Sequence, residues 1–459
     1  MGDGDTICAL ATAPGGAVAV IRVSGPEATA KSSGLWRSLK GNALEKIPAR
    51  YLALGSFGRP GESPLDPACL AVRMPGPHIY TGEDVVEFHC HGGALCARML
   101  LQALLASGIR HAEPGEFSKR AFLNGKLDLT QAEAVADMIS AGSEAALKLA
   151  GSQLQGAIGT RVSEAETLLS DIRAEIESRL DFPEEELDWR SPEELTASIG
   201  ATAEALSKLA DTRTEGELMR GGAALVIAGP PNVGKSSLLN RMLGRERAIV
   251  SEIPGTTRDT IEAFAQIGGI PFRLVDTAGI RELSRKTSSD QIEAAGMERS
   301  RVSAETADLL LWVMDASRPL SEQAPPEWTT ATARKLLVIN KADLLSDAAK
   351  RNLRIGQRGY ILISARTGEG VEELYGAMVE AVLGRASAEG ELSVAARHAE
   401  LLSRAADELR KSLPLLQEES WELAAVHIRE AVFSLGQITG KAVLPDVLDA
   451  IFAKFCLGK

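Results

Sequence analysis

Ala224-Leu225-Val226-Ile227-Ala228-Gly229-Pro230-Pro231-Asn232-Val233-Gly234-Lys235-Ser236-Ser237-Leu238-Leu239-Asn240 is the stretch that decides how the second half of the chain folds. Five apolar residues run without a break into Gly229, as in a parallel strand covered on both faces. Gly229 to Ser236 fits the Gly-x4-Gly-Lys-Ser pattern, whose backbone N–H groups and lysine neutralise phosphate charge. Ser236 to Asn240 continues as helix, so the loop stands at a helix N-terminus, where anions are favoured. This context predicts Lys235 bridging the β- and γ-phosphates of a nucleotide and the Ser236 hydroxyl ligating Mg²⁺. The loop does not choose a base.

Four more apolar runs follow, Phe272–Val275, Leu309–Met314, Lys335–Ile339 and Tyr360–Ile363, alternating with helical stretches. Residues 218–384 therefore read as a doubly wound α/β domain. Its strand ends carry further motifs. Gly255-Thr256-Thr257 lies at a distance suited to a first switch, with Thr257 as second protein ligand to the metal. Asp276 is placed to hold Mg²⁺ through water, and Gly279 to offer its N–H to the γ-phosphate; loss of that phosphate would release both segments. Asn340-Lys341-Ala342-Asp343 chooses guanine, because the Asp343 carboxylate accepts from N1–H and the exocyclic amine. Adenine leaves such a carboxylate unpaired, a rejection of about 10⁴–10⁵. The expected GTP-binding set is Asn232, Val233, Gly234, Lys235, Ser236, Ser237, Ser251, Glu252, Ile253, Pro254, Gly255, Thr256, Thr257, Asp276, Thr277, Ala278, Gly279, Asn340, Lys341, Ala342, Asp343, Ser364, Ala365 and Arg366. Ile280 stands where many regulatory GTPases place a water-orienting glutamine, so hydrolysis needs another arrangement.

With 459 residues the chain has room for about three domains. Its 45% hydrophobic and 24% charged content is ordinary for a soluble protein, and no run is long enough to span a bilayer. No secretory leader is visible, so the expected location is the cytoplasm, with no membrane contact. Five spread cysteines show no CxxC pair and no metal-ligand spacing, and read as thiols rather than disulfides. A net charge of −12 argues against a broad basic face for nucleic acid; an RNA substrate would be held by a partner or a local patch.

Residues 1–125 read as mixed α/β, with β-branched runs at Val18–Val23 and Val85–His89. From Leu129 the pattern is helical. Val162, Ala165, Leu169, Ile172, Ile176 and Leu180 form one stripe, and its partners return far away at Leu402, Ala405, Leu409 and Leu413, then at Ala425, Ile428, Val432 and Leu435. Segments 126–217 and 385–459 thus form an all-α discontinuous domain around an inserted one.

Together with these motifs, Tyr80-Thr81-Gly82-Glu83-Asp84, Pro114-Gly115-Glu116-Phe117-Ser118, Arg120-Ala121-Phe122-Leu123-Asn124 and the terminal Phe455-Cys456-Leu457-Gly458-Lys459 carry a specific likeness. The chain resembles the MnmE (TrmE) family of tRNA modification GTPases along nearly its whole length. The resemblance implies a multidomain protein: an α/β folate-binding and dimerisation domain, the all-α discontinuous domain, and an inserted α/β P-loop, Ras-like G domain. It implies modification of C5 of the wobble uridine of certain tRNAs to a carboxymethylaminomethyl-type group. The work is shared with MnmG (GidA) in a heterotetramer or larger complex, with FAD and NADH supplied by that partner. The tRNA would be held mainly by the partner, and the one-carbon donor would be 5-formyltetrahydrofolate or 5,10-methylenetetrahydrofolate.

By the same resemblance Arg22, Glu87, Lys126 and Lys459 bind folate. The chemistry is reasonable, since a pteridine edge suits a carboxylate and a glutamate tail suits Arg or Lys. The family's G domain is activated by K⁺ and by pairing, with Asn232, Ser251, Ile253 and Thr256 at the K⁺ site; Asn232 is otherwise a turn residue. A monovalent cation there would offset the missing glutamine. Glu293 resembles the residue that activates water, with Glu282 as fallback because Leu283–Ser289 lengthens that stretch. Cys456 is either a nucleophile in one-carbon transfer or a passive thiol in a docked tail. The rival readings are a ribosome-associated regulatory GTPase with a docking N-terminal domain, and a folate-dependent methyltransferase with a G domain of marginal importance. Folate binding separates the first rival from the family reading, and Lys235→Ala separates the second.

Overall fold

A computed structural model describes residues 4–13, 15–182, 189–245, 263–274, 307–326, 334–356, 359–383 and 393–459. The chain divides into two units. One comprises Met1–Ala136, Gln153–Ala203 and Arg404–Lys459; the other comprises Asp137–Ser152 and Glu204–Ser403.

The first unit is built on a seven-stranded sheet: β1 (Ile7–Leu10), β2 (Val18–Ser24), β3 (Trp36–Ser38), β4 (Ala53–Phe57), β5 (Asp66–Met74), β6 (Val85–His91) and β7 (Arg110–His111). Their order is β3-β4-β5-β6-β2-β1-β7, antiparallel throughout except for the parallel β1–β7 pair. Alternation sorts the side chains. Ala19, Ile21 and Val23 of β2 and Phe88 and Cys90 of β6 join a core with the helix Ala94–Ala106, through Ala97, Leu100, Ala103 and Leu104. Phe57 meets Phe88 edge-on in that core, ring centroids 5.0 Å apart. Ile7 and Ala9 of β1 pack on the opposite side with Ala112 and Phe117. Ala9 pairs with Arg22, which pairs with Glu87, so this second face carries both charged residues.

In the helical part of this unit, Ala157–Asp181 packs along Trp421–Thr439, its distant partner in sequence. Val162, Leu169, Ile172 and Ile176 are buried as the stripe requires, and Ala165 is half-buried. Leu180 is 37% exposed, contrary to the expected stripe, because its step falls in the last turn before the helix ends at Asp181. On Trp421–Thr439 the buried line runs through Ala424, Ile428, Ala431 and Leu435, not through Ala425 and Val432. Small side chains on that line suit close helix approach. Gly436 makes room for the turn that follows the helix, since a Cβ there would stand 3.2 Å from the Ala442 methyl.

The second unit holds a six-stranded sheet: β8 (Ala223–Ala228), β9 (Ala263–Ile267), β10 (Ile270–Leu274), β11 (Leu309–Asp315), β12 (Lys335–Asn340) and β13 (Tyr360–Leu362). The order is β13-β12-β11-β8-β10-β9, all parallel except β9. Both faces are covered, which explains the unbroken apolar runs. Leu225, Ile227, Leu309, Leu311 and Val313 face one core, and Val226, Ala228, Leu310, Trp312 and Met314 face the other. Strand β9 was not anticipated. Its signal is Gly268-Gly269, with φ of 57° and 83°, between the paired Ile267 and Ile270. Two central residues at positive φ are what a type I′ hairpin requires.

Candidate functional site

β8 ends at Ala228, Gly229 follows it directly and the helix Lys235–Arg245 begins six residues after Gly229, so the loop between them is a strand-to-helix turn. Gly229 has φ 143°, and a Cβ there would lie 2.2 Å from the Val313 carbonyl oxygen of β11. Gly234 has φ 97°, and its Cβ would lie 2.3 Å from Asn340 Nδ2. Both glycines are therefore required by the close approach of β11 and β12. Asn232 adopts φ 61°, a left-handed conformation that asparagine tolerates. The turn reading thus accounts for the residue, while its side chain remains exposed. Lys235 Nζ donates to the carbonyls of Gly229 (2.8 Å) and Pro230 (2.7 Å), which folds the ammonium over the loop. Ser236 is half-buried in the first turn and Ser237 is exposed.

Asn340, at the end of β12, ties this loop to the base-reading end. Its Nδ2 donates to the Val233 carbonyl (2.8 Å), and its Oδ1 accepts from the Ala365 amide (2.9 Å). Lys341 takes φ 67° and its ammonium pairs with Asp315 Oδ2 at 2.6 Å. Burial pushes the Asp315 carboxyl up, but bonds from Lys341 and from the Ser317 hydroxyl and amide outweigh it and hold it below its usual range. Asp343 Oδ1 accepts from the Ser364 hydroxyl (2.6 Å), and Oδ2 faces Arg366 Nη2 at 3.0 Å. The Ser364 bond foremost, with the Arg366 charge, keeps Asp343 ionised. An oriented carboxylate with an exposed, displaceable guanidinium partner can take the two donors of a guanine edge.

Arg241 was not singled out in the sequence. It lies on the helix opened by Lys235, and its Nε donates to the Ala365 carbonyl (2.5 Å) and its Nη2 to the Arg366 carbonyl (2.6 Å). The phosphate-side helix thereby holds the loop that orients Asp343. Its only sequence signal is a cation two turns into a phosphate-loop helix.

In the first unit, Arg22 and Glu87 are directly opposed on β2 and β6, with Nε donating to Oε1 at 2.7 Å. The Arg22 guanidinium lies 5.9 Å from the Tyr80 ring centroid and 5.7 Å from that of Phe117. Tyr80 is fixed by its bond to Ser118 (2.8 Å), and burial pushes its phenol up. The other two expected folate residues come to the same neighbourhood by different routes. Gly82 is in van der Waals reach of Lys126: a Cβ there would stand 3.2 Å from Lys126 Cε. The tail docks through its backbone, with Phe117 N donating to Lys459 O (3.1 Å) and Gly115 N to Cys456 O (3.4 Å). Gly458, at φ 90°, is required there, since a Cβ would lie 2.1 Å from the Leu10 carbonyl of β1.

An ion network underlies this arrangement. Arg120 reaches Asp5, Glu83 and Glu116, and Arg110 reaches Asp5 and Glu116. It locks the Glu116–Leu123 helix, which carries Phe117 and Ser118, to the loop bearing Tyr80. Ser24 adds bonds to Thr81 and Glu83, each 2.8 Å.

Comparison with known proteins matches these two regions to family models. The GTP-binding protein TrmE N-terminus matches residues 6–126, and the MnmE helical domain matches residues 129–456. The chain belongs to the MnmE family of tRNA modification GTPases. It is similar to proteins named tRNA modification GTPase MnmE from Akkermansia muciniphila (45% identical), Clostridioides difficile (39%) and Carboxydothermus hydrogenoformans (40%). Each alignment covers 99% of this chain and 99% of the relative.

For this MnmE-family chain, the described residues bring together the phosphate loop, Asn340–Asp343 and Ser364–Arg366 at the C-terminal ends of the parallel strands β8, β12 and β13. Ser251, Glu252, Ile253, Pro254, Gly255, Thr256, Thr257, Asp276, Thr277, Ala278, Gly279, Glu282 and Glu293 lie outside the described residues. Cys456 is exposed. Among the described helices none is long and apolar enough to cross a membrane.

Proposed function

We propose that this chain hydrolyses GTP with Mg²⁺ and K⁺ and, as a homodimer joined to MnmG (GidA) in the cytoplasm, modifies C5 of the wobble uridine of tRNAs to a carboxymethylaminomethyl-type group. The observation that carries the nucleotide half is the Asp343 carboxylate, oriented by Ser364 and linked through Asn340 to the phosphate loop. Residues 218–384 act as the G domain, residues 1–125 as the folate-binding and dimerisation domain, and 126–217 with 385–459 as the helical domain.

The donor atoms fit the groups this reading needs. Ser236 and Asn232 offer hard oxygens suited to Mg²⁺ and K⁺. Arg22 offers a cation flanked by two aromatic rings and Glu87 a carboxylate beside it, as the acidic tail of a folate and its pteridine require. His89 supports the fit: its Nε2 is buried, 3.5 Å from Glu87 Oε2, and makes no hydrogen bond among the described residues. The folate supplies a one-carbon unit; Arg22, Glu87, Lys126 and Lys459 bind and orient it. Lys235 neutralises phosphate charge, and Glu293 or Glu282 handles the water.

GTP turnover in KCl against NaCl, with gel filtration in both, tests the mechanism. A K⁺-specific rise with G-domain pairing is expected, and Lys235→Ala should abolish both turnover and tRNA modification. Equal rates in the two salts would remove the role of Asn232, and modification surviving Lys235→Ala would favour the methyltransferase reading.

A further inference from the structure

Cys90, Cys96 and Asp66 meet at one end of the first sheet, although their spacing in sequence gives no metal signature. Cys90 is the penultimate residue of β6, Asp66 opens β5, and Cys96 sits in the first turn of the Ala94–Ala106 helix. Two sulfurs and a carboxylate oxygen there lie within 4.8 Å of one another, with Cys96 Sγ 4.0 Å from Asp66 Oδ2. Asp66 is 1% exposed and its orientation is fixed: Oδ1 accepts from the Ala68 amide and Oδ2 from the His91 amide, both 2.9 Å. His91 Nδ1 stands 3.0 Å from Oδ1 and 3.1 Å from Oδ2, and its ring forms the solvent-facing rim at 68% exposure.

We propose that Cys90, Cys96, Asp66 and His91 form a site for a divalent cation of the zinc class, separate from the nucleotide and Arg22–Glu87 sites. Two thiolates, an imidazole and a carboxylate are a borderline-soft donor set, which suits zinc rather than Mg²⁺ or Ca²⁺. Tetrahedral zinc, with bonds of about 2.3 Å to sulfur and about 2.0–2.2 Å to oxygen, sets its ligand atoms about 3.5–3.8 Å apart. The separations among Asp66, Cys90 and Cys96 close to that by shifts of about 1 Å or less in short side chains, and the exposed His91 ring, 3.0 Å from Asp66 Oδ1, must turn about its own side-chain bonds to complete the set. Binding releases the two thiol protons to solvent. The exposed imidazole is the way in. The metal would clip the ends of β5 and β6 to the first turn of the helix that covers their core face, and stabilise the N-terminal fold by mass action.

The test uses the full chain, reduced, stripped with chelator, and titrated with Co²⁺ and then Zn²⁺. One equivalent of Co²⁺ should give a thiolate-to-cobalt charge-transfer band and tetrahedral visible bands, displaced by Zn²⁺. Cys96→Ser should reduce the charge-transfer intensity, one thiolate of two remaining, and His91→Ala should weaken binding about 10–100-fold. Absence of the band in the native chain, or its persistence in a Cys90→Ser/Cys96→Ser double variant, overturns the site. Should that variant not fold, alkylation of the native chain decides. Zinc should slow the reaction of Cys96 with iodoacetamide while exposed Cys456 reacts at the same rate; equal Cys96 rates with and without zinc overturn it.

Discussion

Arg22 and Glu87 are paired twice, once by strand register and once by a 2.7 Å bond from Nε to Oε1. The first pairing causes the second. β2 and β6 run antiparallel from Val18 opposite His91 to Ser24 opposite Val85, and a slip of one residue would put the two side chains on different faces. The Tyr80 and Phe117 rings flank the guanidinium, so the ion pair lies in a partly apolar setting where its charges are less screened.

Glu87→Gln keeps the shape and removes the charge. Hydrogen bonds to charged groups contribute about 1.5–3 kcal/mol, so affinity for 5-formyltetrahydrofolate should fall about ten- to hundredfold. Calorimetric titration measures it, with GTP turnover as the control for folding. Native affinity in Glu87→Gln would leave the pair a purely structural bond.

Much of this could be read from the residues. Continuous apolar runs located β8, β10, β11, β12 and β13 because both faces of that sheet are covered. β9 escaped although Ala263–Ile267 is apolar at four of its five positions, because it delivers no nucleotide motif at its end; the double glycine that follows is what marks it as a hairpin strand. Arg22 and Glu87 could be named only through family likeness, since 65 residues separate them and register alone makes them neighbours. The Asp66–Cys90–Cys96 cluster was invisible for the same reason: three segments contribute one donor each. Arg241 looks like any helix cation until Ala365 and Arg366 are seen presenting carbonyls to it.

Asp343→Asn exchanges one acceptor oxygen for a donor. GTP affinity should fall by about 10²–10⁴, two charge-assisted hydrogen bonds being lost or weakened. Xanthosine triphosphate, which replaces the exocyclic amine by a carbonyl, should bind the variant better than GTP does. Fluorescent-nucleotide titration distinguishes the two; loss of both nucleotides alike would mean that Asp343 supports the Ser364 loop rather than the base.

Acid should unfold the first unit through its ion network. The Arg110 bond foremost, with Arg120, holds Asp5 below its usual range. Burial pushes Glu116 up, but Arg110, the Glu113 amide and Arg120 outweigh it and bring it down. A depressed carboxylate contributes stability that is present above its unfolded value, about 3.9 for Asp and 4.3 for Glu, and is lost as pH falls through the folded value. Urea unfolding followed by circular dichroism should therefore be flat above about pH 5 and weaken steeply below about pH 4. Glu116→Gln should shallow that slope and cost about 1.5–3 kcal/mol at neutral pH, because Arg110 and Arg120 lose a buried charged partner while Asp5 and Glu83 still neutralise them. An unchanged acid slope in Glu116→Gln would place the acid sensitivity elsewhere.

Arg241→Ala separates positioning from chemistry. The side chain touches neither the phosphate loop's own carbonyls nor Asp343; it holds the backbone of Ala365 and Arg366, on either side of which Ser364 and Gly368 set the carboxylate's surroundings. Gly368 leaves room for it, as a Cβ there would lie 2.9 Å from Arg241 Nη1. Two side-chain-to-carbonyl bonds from a charged group, at about 1.5–3 kcal/mol each before relaxation, make a tenfold rise in KM for GTP the minimum expected. Since both bonds are made to the base-side loop and neither to the phosphate loop, kcat and its response to K⁺ should stay near native, the pattern of lost uniform binding. Arg241→Lys should rescue poorly, because an ammonium cannot reproduce the planar fork that spans two carbonyls. A fall in kcat with KM unchanged would instead place Arg241 in the hydrolytic step.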